Sequence, residues 1–572
     1  MTETGRFVRF ACVALFAVTS VVVVGETASA DAVPTIAELR SAVDVANANP
    51  GNDTIALVSG ATYSISGDQC DEVATKDDDE NESGDLDVLS FNETASDVQD
   101  LTIEVPSGPP AIIQVSCPLT RAIEVISPDD FSGLSADAVV QSGLVPQDAI
   151  GLGRLTLRNV VIRGGRAPHD FELFTVDSYG GGVFAFAANL TLDNVTFDDN
   201  AAADGVDGDD SAADGGGGGF GGGLAVLIGD IHVVDSTFND NRAGHGGRGF
   251  DGFCDGGPVL PGAGGFGGSG GAIFALQVVS SFDLSIETST FTANRAGDGG
   301  DGGDESEAAA CVEGPFDGAP GGFGGSGGAI AAFLSTLSVG HSAFVANTAG
   351  DGGAGGSGND GADALAPVLR PAAESPSAEF VAADGEDAGS GAPGGDGGDG
   401  GAIATISGTI VVVRDVAPTP DRVIVNSTFD SNVSGSGGPG GGGGNGGVGF
   451  GGGAEGAAGT AGDGGSGGFG GAISDFPVTL DGASGLAAEL RSDLSPQQVE
   501  GAFDLFHDTI TQNGHGGAGG PAGAPGSGSG TPAAASDGED GGGSLDIASL
   551  EATGIVVGTS DGTGPDCWST PL

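Results

Sequence analysis

One unit recurs along most of this chain, and it limits the fold more than any other feature. It opens with a double glycine and an apolar pair, runs through an alternating segment and ends in Phe-x-x-Asn. Copies run from Gly181-Gly182 to Phe197 and Asn200, and from Gly222-Gly223 to Phe238 and Asn241. Others run from Gly270-Gly271 to Phe291 and Asn294, from Gly327-Gly328 to Phe344 and Asn347, and from Gly400-Gly401 to Phe429 and Asn432. A looser copy runs from Gly470-Gly471 to Ile510 and Asn513, and Leu155–Ile162 aligns without a gap on Leu190–Phe197. Such units bury their apolar faces only by stacking on one another.

The tightest copy takes twenty residues from Gly181 to Asn200, too few for a pair of helices. Its β-branched, alternating residues, as in Thr191–Phe197 and His232–Phe238, have the period of strands. The expected fold is therefore all-β: a parallel β-helix, with two short strands and turns per coil. Coils stack ~4.8 Å apart, which sets Phe197, Phe238, Phe291, Phe344 and Phe429 in one internal ladder. Asn200, Asn241, Asn294, Asn347 and Asn432 fall at the turn after it. There an amide can bond the next coil's backbone or its Asn.

Between units lie inserts of variable length, all after the Asn and before the next double glycine. They therefore leave one edge of the solenoid. With 115 Gly and 27 Pro the chain approaches the composition of disordered segments, and runs such as Gly435–Gly453 read as mobile. Repeated Phe266, Phe323 and Phe469 argue instead that parts dock beside the coil. Composition leaves both readings open.

Asp plus Glu number 79 against 16 Lys plus Arg, for a net charge of −63, and Lys76 is the sole lysine. Such a surface repels nucleic acid and anionic membranes. It suits a salty medium and cations; no cofactor is expected, and the surface is compatible with weak Ca²⁺ binding. Residues 1–30 read as an export signal: basic Arg6 and Arg9, apolar Phe10–Val24, and a small-residue cleavage site at Ala28-Ser29-Ala30. No later stretch is apolar and long enough to span a bilayer. The expected product is secreted or cell-surface associated.

Residues 31–60 form a cap and first strand. Thr35 and Glu38 have capping-box spacing, and Ile36, Leu39, Val43 and Ala46 share a helical face, predicting a helix over 35–47. A strand follows at Thr54–Val58, with others at Leu86–Phe91, Leu101–Val105, Ile112–Val115 and Ala122–Ile126. The helix would close the open end of the solenoid. Residues 61–513 hold the β-helix with its inserts, and 514–572 a Gly-rich segment and a curtailed final coil.

The stretch Ile36–Val43, then Ala46–Ile55 and Gly60–Tyr63, resembles the start of secreted bacterial right-handed parallel β-helix proteins. Gly84–Val88 and Leu155–Gly165 also look like that family, and the Gly-Gly-Ala-Ile and Phe-x-x-Asn pair is similar to the repeat of polymorphic outer-membrane proteins. The resemblance implies a right-handed, pectin-lyase-like solenoid and brings no catalytic motif. The transmembrane barrel of autotransported relatives has no counterpart at Ile555–Cys567, which looks like a last coil cut short.

Cys254 follows Asn241 by thirteen residues and Cys311 follows Asn294 by seventeen, so both sit in inserts on one edge of consecutive coils. Coil spacing is within reach of a disulfide, predicting a Cys254–Cys311 bond that closes a 57-residue loop. By elimination Cys70 pairs with Cys117, leaving Cys567 free or intermolecular.

Catalytic signals are weak. With so many carboxylates, no Asp pair is informative. Arg158, Arg163 and Arg166 cluster near His169, where ion pairing explains them as well as a site does. Sugar-stacking aromatics are limited to Trp568, Tyr63 and Tyr179. The histidines are too irregular for zinc, and Asp-Gly-Gly runs at 298–303 and 396–401 lack a regular Ca²⁺ nonapeptide. The sequence therefore favours an exported non-catalytic solenoid for adhesion, matrix or surface display. The alternative is a β-helix polysaccharide lyase or glycoside hydrolase.

Overall fold

The fold comes from a computed structural model. It describes residues 32–49, 51–67, 70, 81, 84–89, 99–126, 152–168, 178–209, 213–254, 258–277, 283–305, 316–333, 335–361, 363, 384, 386–407, 422–425, 427–448, 454–477, 503–506, 509–511, 518–527, 535–538, 556–557 and 567–569. The export signal, the Lys76 loop, His169 and Cys311 lie outside them.

The chain is a parallel β-helix with three strands per coil, not two. In the coil after Tyr179 the strands are Val183–Phe186, Ala188–Asp193 and Thr196–Asp198. The apolar residues that follow the double glycine of each unit form a strand of their own. It pairs in register with the next: Leu224 on Ile273, Ile273 on Ile330, Ile330 on Ile403. Three parallel sheets result, each ordered along the chain. The first begins with Asn52–Ala56, Asp100–Glu104 and Gly153–Arg158, the second with Thr62–Ile65 and Ala111–Val115, the third with Leu86–Leu89 and Ile123–Ile126.

Inside, Phe197, Phe238, Phe291, Phe344 and Phe429 are fully buried and stack face to face, with centroids 4.7–4.8 Å apart and planes within 4°. Registered pairing places each ring on the next. The Asn row behind it is equally buried. The Nδ2 of Asn241 donates to Oδ1 of Asn294 at 2.9 Å and to the Phe197 carbonyl at 3.1 Å, and the pattern repeats along the row. A second polar row went unread in the sequence. Ser236, Ser289, Ser342 and Ser427 line the turn between the first and second sheets, and each Oγ accepts the preceding coil's backbone N–H. Both rows follow a residue in the left-handed region, such as Thr288 before Ser289 and Ala293 before Asn294. That conformation is costly for a β-branched residue, and the buried bonds hold it.

The helix Ile36–Ala48 covers the first coil, with Thr35 as N-cap and Leu39, Val43 and Ala46 buried. Cys70 and Cys117 are disulfide-bonded and tie neighbouring coils, with Cα atoms 5.4 Å apart. No helix among the described residues is long and apolar enough to cross a membrane.

The described parts of the inserts pack as an ordered wall against the outer face of the third sheet. Each goes out and returns as two extended legs whose hydrogen bonds repeat every three residues, the period of a polyproline-type helix. Gly300 donates to the Gly265 carbonyl at 2.7 Å, and Gly322 to that of Gly300 at 2.8 Å. These glycines do not have positive φ; what they supply is closeness. A Cβ on Gly300 would lie 1.9 Å from the Gly247 oxygen. Gly270 is different: its φ of +73° turns the chain into the third sheet. Tyr179, Phe220 and Phe274 seal the seam between wall and sheet, with Phe266 packed against them. Phe323 is 52% exposed and takes no part in the seal.

Candidate functional site

The alternation that builds the first sheet sends every second side chain outward. Over the first three coils this sets Asn52, Asp100 and Arg154 in one row and Thr54, Thr102 and Thr156 in the next. With Asp53 they line an open depression of about 250 Å³. Arg154 is exposed and, among the described residues, makes no ion pair. Asp53 contributes to the lining but is in register with inward-facing Leu101, so its carboxylate turns inward, with Oδ2 buried. Burial raises its pKa above the usual carboxylate value, and a hydrogen bond from Gln99 opposes the shift. The outward side chains offer a guanidinium, the Asp100 carboxylate, an amide and three hydroxyls, a donor and acceptor set suited to a polyhydroxylated ligand. It has no aromatic surface for stacking a sugar ring.

Sequence reading missed this site. Its signal was the aligned Asp100-Leu-Thr, Arg154-Leu-Thr and Asn189-Leu-Thr, where the residue before Leu changes while Leu-Thr repeats.

The arginines to which the sequence points are ion-paired instead. Arg158 bonds Glu104 and Asp193, both at 2.8 Å, one coil to either side. Arg163 reaches Asp198 at 2.7 Å, and Arg166 reaches Asp199 at 2.9 Å. These pairs bridge adjacent coils on the surface, where each is worth ~0–1 kcal/mol.

A second charged group lies near the capped end. Asp85, Asp87 and Glu124 bring carboxylate oxygens within 4.8 Å of one another, the one such trio among the described residues. Arg121 answers it, 3.1 Å from Glu124 and 3.5 Å from Asp85, while its guanidinium lies 5.1 Å from the Phe184 ring centroid. Arg40, from the cap helix, donates to the Gly84 and Asp85 carbonyls. These contacts fasten the helix to the first coil of the third sheet.

The wall carries its carboxylates on outward rows, including Asp298, Asp301 and Asp304. His245 lies 3.4 Å from Asp298, and His341 lies 2.6 Å from Glu287. Among the described residues, no three of these exposed groups converge as the buried trio does. The Cys254 strand forms a two-residue hairpin with Pro258–Val259 at an insert tip. Its predicted partner Cys311 is outside the described residues.

This geometry defines the class: a parallel β-solenoid with a lateral glycine wall. No known protein family matches the chain, and no curated protein is similar to it. Among solved structures it is similar to the A-module of a mannuronan C-5 epimerase from Azotobacter vinelandii. The identity is 10% and the TM-score 0.15, over 88% of this chain and 94% of that one. That score is too low to carry an activity across.

Proposed function

We propose that the chain is an exported, non-catalytic solenoid that serves adhesion, extracellular matrix or surface display. The observation that supports this most is the wall. The described parts of the glycine-rich inserts pack into a hydrogen-bonded layer that presents carboxylates. An ordered acidic face of this kind suits contact with cations and with cationic partners. The test is binding of the purified mature chain to cell-surface and matrix fractions, with and without Ca²⁺. Retention that is saturable and sensitive to Asp→Asn changes on the wall face supports the reading. Absence of binding to every fraction overturns it.

A second reading rests on the depression around Arg154. An arginine beside the Asp100 carboxylate and a row of threonine hydroxyls is a composition that can hold a sugar chain. A polysaccharide array screened for binding and for chain cleavage separates the two. Turnover that disappears in Arg154→Ala, with the melting temperature unchanged, would establish an enzyme.

A further inference from the structure

The glycine wall has a gap in its backbone bonding. In the third insert Gly297, Gly299, Gly300, Gly302 and Gly303 all donate to backbone carbonyls of neighbouring legs. The residue between each pair, Xaa of a Gly-Gly-Xaa triplet, does not. Where an aspartate stands one coil earlier at the same position, the Xaa N–H goes to that side chain. Asp351 donates to Asp298 at 2.9 Å, Ala354 to Asp301 at 2.8 Å, and Ser357 to Asp304 at 2.7 Å. In the following coil Ser436 donates to Asp351 and Asn445 to Asp360, both at 2.6 Å. Return legs do the same, with Ser466 on Asp396 and Ser536 on Asp463. Asn445, Ser269 and Ser326 also serve as acceptors.

Proline occupies the same positions, and it has no N–H to satisfy. Register places Pro320 on Ala263, Pro393 on Pro320, Pro439 on Ala354 and Pro521 on Pro439. The residue behind each of these prolines is Ala or Pro, never an acceptor. Some triplets carry neither device: Asp301 on Arg248, Asp463 on Pro393, Phe323 on Phe266 and Asp396 on Phe323 have an N–H with no acceptor side chain behind it, so the correspondence runs one way: acceptors precede N–H donors, and prolines follow residues with nothing to accept.

We infer that the third residue of each triplet is a register key, by which an acceptor side chain in one coil selects an N–H in the next and a proline is admitted only over an Ala or Pro. Such a key is needed because the glycine backbone pattern repeats every three residues. A leg slipped by one triplet keeps nearly all its backbone bonds. In the fifth insert that slip would set Pro439 against Asp351, a carboxylate facing a residue that cannot donate. Side-chain keys remove this degeneracy, much as the hydrophobic face does for an ordinary strand. The inference also assigns part of the acidity to structure, since aspartate is the shortest side chain that accepts strongly at this reach.

The test is a key exchange in the full chain: Ala354→Asp, Pro439→Ala and the double variant, read by amide hydrogen exchange. Residue 439 should exchange fast in Pro439→Ala, where its N–H faces Ala354. It should slow by about tenfold in the double variant, where the introduced carboxylate accepts it. Ala354→Asp alone should speed exchange of the neighbouring Gly352 and Gly355 amides. Equal exchange at residue 439 in the single and double variants would overturn the inference. If Ala354→Asp prevents folding, Asp351→Asn against Asp351→Ala decides it. The amide oxygen of Asn should keep Ser436 protected, Ala should release it by about tenfold, and identical Ser436 exchange in the two would count against the key.

Discussion

Replacing Gly300 by alanine tests whether the inserts form a wall at all. Gly300 sits mid-leg in the third insert, bonded to Gly265 at 2.7 Å and accepting from Gly322 at 2.8 Å. A Cβ there would lie 1.9 Å from the Gly247 oxygen and 2.5 Å from its carbonyl carbon. Contact distance is over ~3 Å, so the legs must part by more than ~1 Å, enough to lose two or three hydrogen bonds at ~1 kcal/mol each. Alanine recovers ~0.4–1 kcal/mol by restricting the unfolded chain. The expected net loss is about 1–3 kcal/mol. Gly442 is the control. It is also in a leg, but a Cβ there meets nothing closer than the Ala524 oxygen at 3.6 Å, so Gly442→Ala should be neutral or stabilise by ~0.4–1 kcal/mol. Urea unfolding of the three proteins, followed by hydrogen exchange over residues 244–305, gives the comparison. Were the inserts loose loops, both substitutions would stabilise equally. Matching midpoints for Gly300→Ala and Gly442→Ala would refute the wall.

Three further outcomes are expected. Phe291→Ala, which removes a fully buried ring between Phe238 and Phe344, should cost ~3–5 kcal/mol by denaturant titration, while a cost under ~1 kcal/mol would contradict a packed stack. Asp399 has its pKa raised from 3.8 to about 7 by burial, with the Phe469 N–H opposing and Asp396 adding to the shift. The folded state holds that proton more tightly, so its stabilisation is complete below about pH 4 and is lost as pH rises through about 7, by at most ~4 kcal/mol. Asp399→Asn should therefore be more stable than the parent at about pH 8 and no more stable at about pH 4; a difference independent of pH rules this out. Finally, non-reducing peptide mapping of exported protein should recover Cys254 linked to Cys311, a loop closure worth roughly 4 kcal/mol, and two separate alkylated thiols would exclude the pairing.

The solenoid was legible because its signals are local. Phe and Asn three residues apart mark an inward residue and the turn after it within one short window, and Thr35 with Glu38 marks a helix start. The third strand of each coil was hidden because Gly-Gly-Ala-Ile is short and mostly small, so it shows no alternation. The Ser row was hidden because a serine before Thr-Phe reads as turn chemistry in any fold. The wall was hidden for a deeper reason. Gly300 bonds Gly265 and Gly322, partners on other legs, and nothing about a glycine itself says whether another leg lies beside it. The depression at Arg154 depends on which coil follows which, and a list of arginines drew attention to Arg158, Arg163 and Arg166, whose partners are simply the next carboxylates along the sheet.

The pairing of legs within one insert also dictates how such a chain can change over generations. In the fifth insert Gly437 faces Gly465, Gly440 faces Gly462, Gly443 faces Gly459 and Gly446 faces Gly456. Each step of three outward on one leg is matched by three back on the other. In the shorter second insert the faced pairs are Gly246 with Gly265 and Gly249 with Gly262. Gain or loss of six residues at a tip, one triplet per leg, would therefore move the outer rim by one step and leave the coil untouched. The tip takes up any remainder: the spans from Asn241 to Gly270 and from Asn432 to Gly470 differ by nine residues, yet both keep their facing pairs. The breadth of the outer face can therefore drift from coil to coil while the aromatic column and its amide row stay fixed.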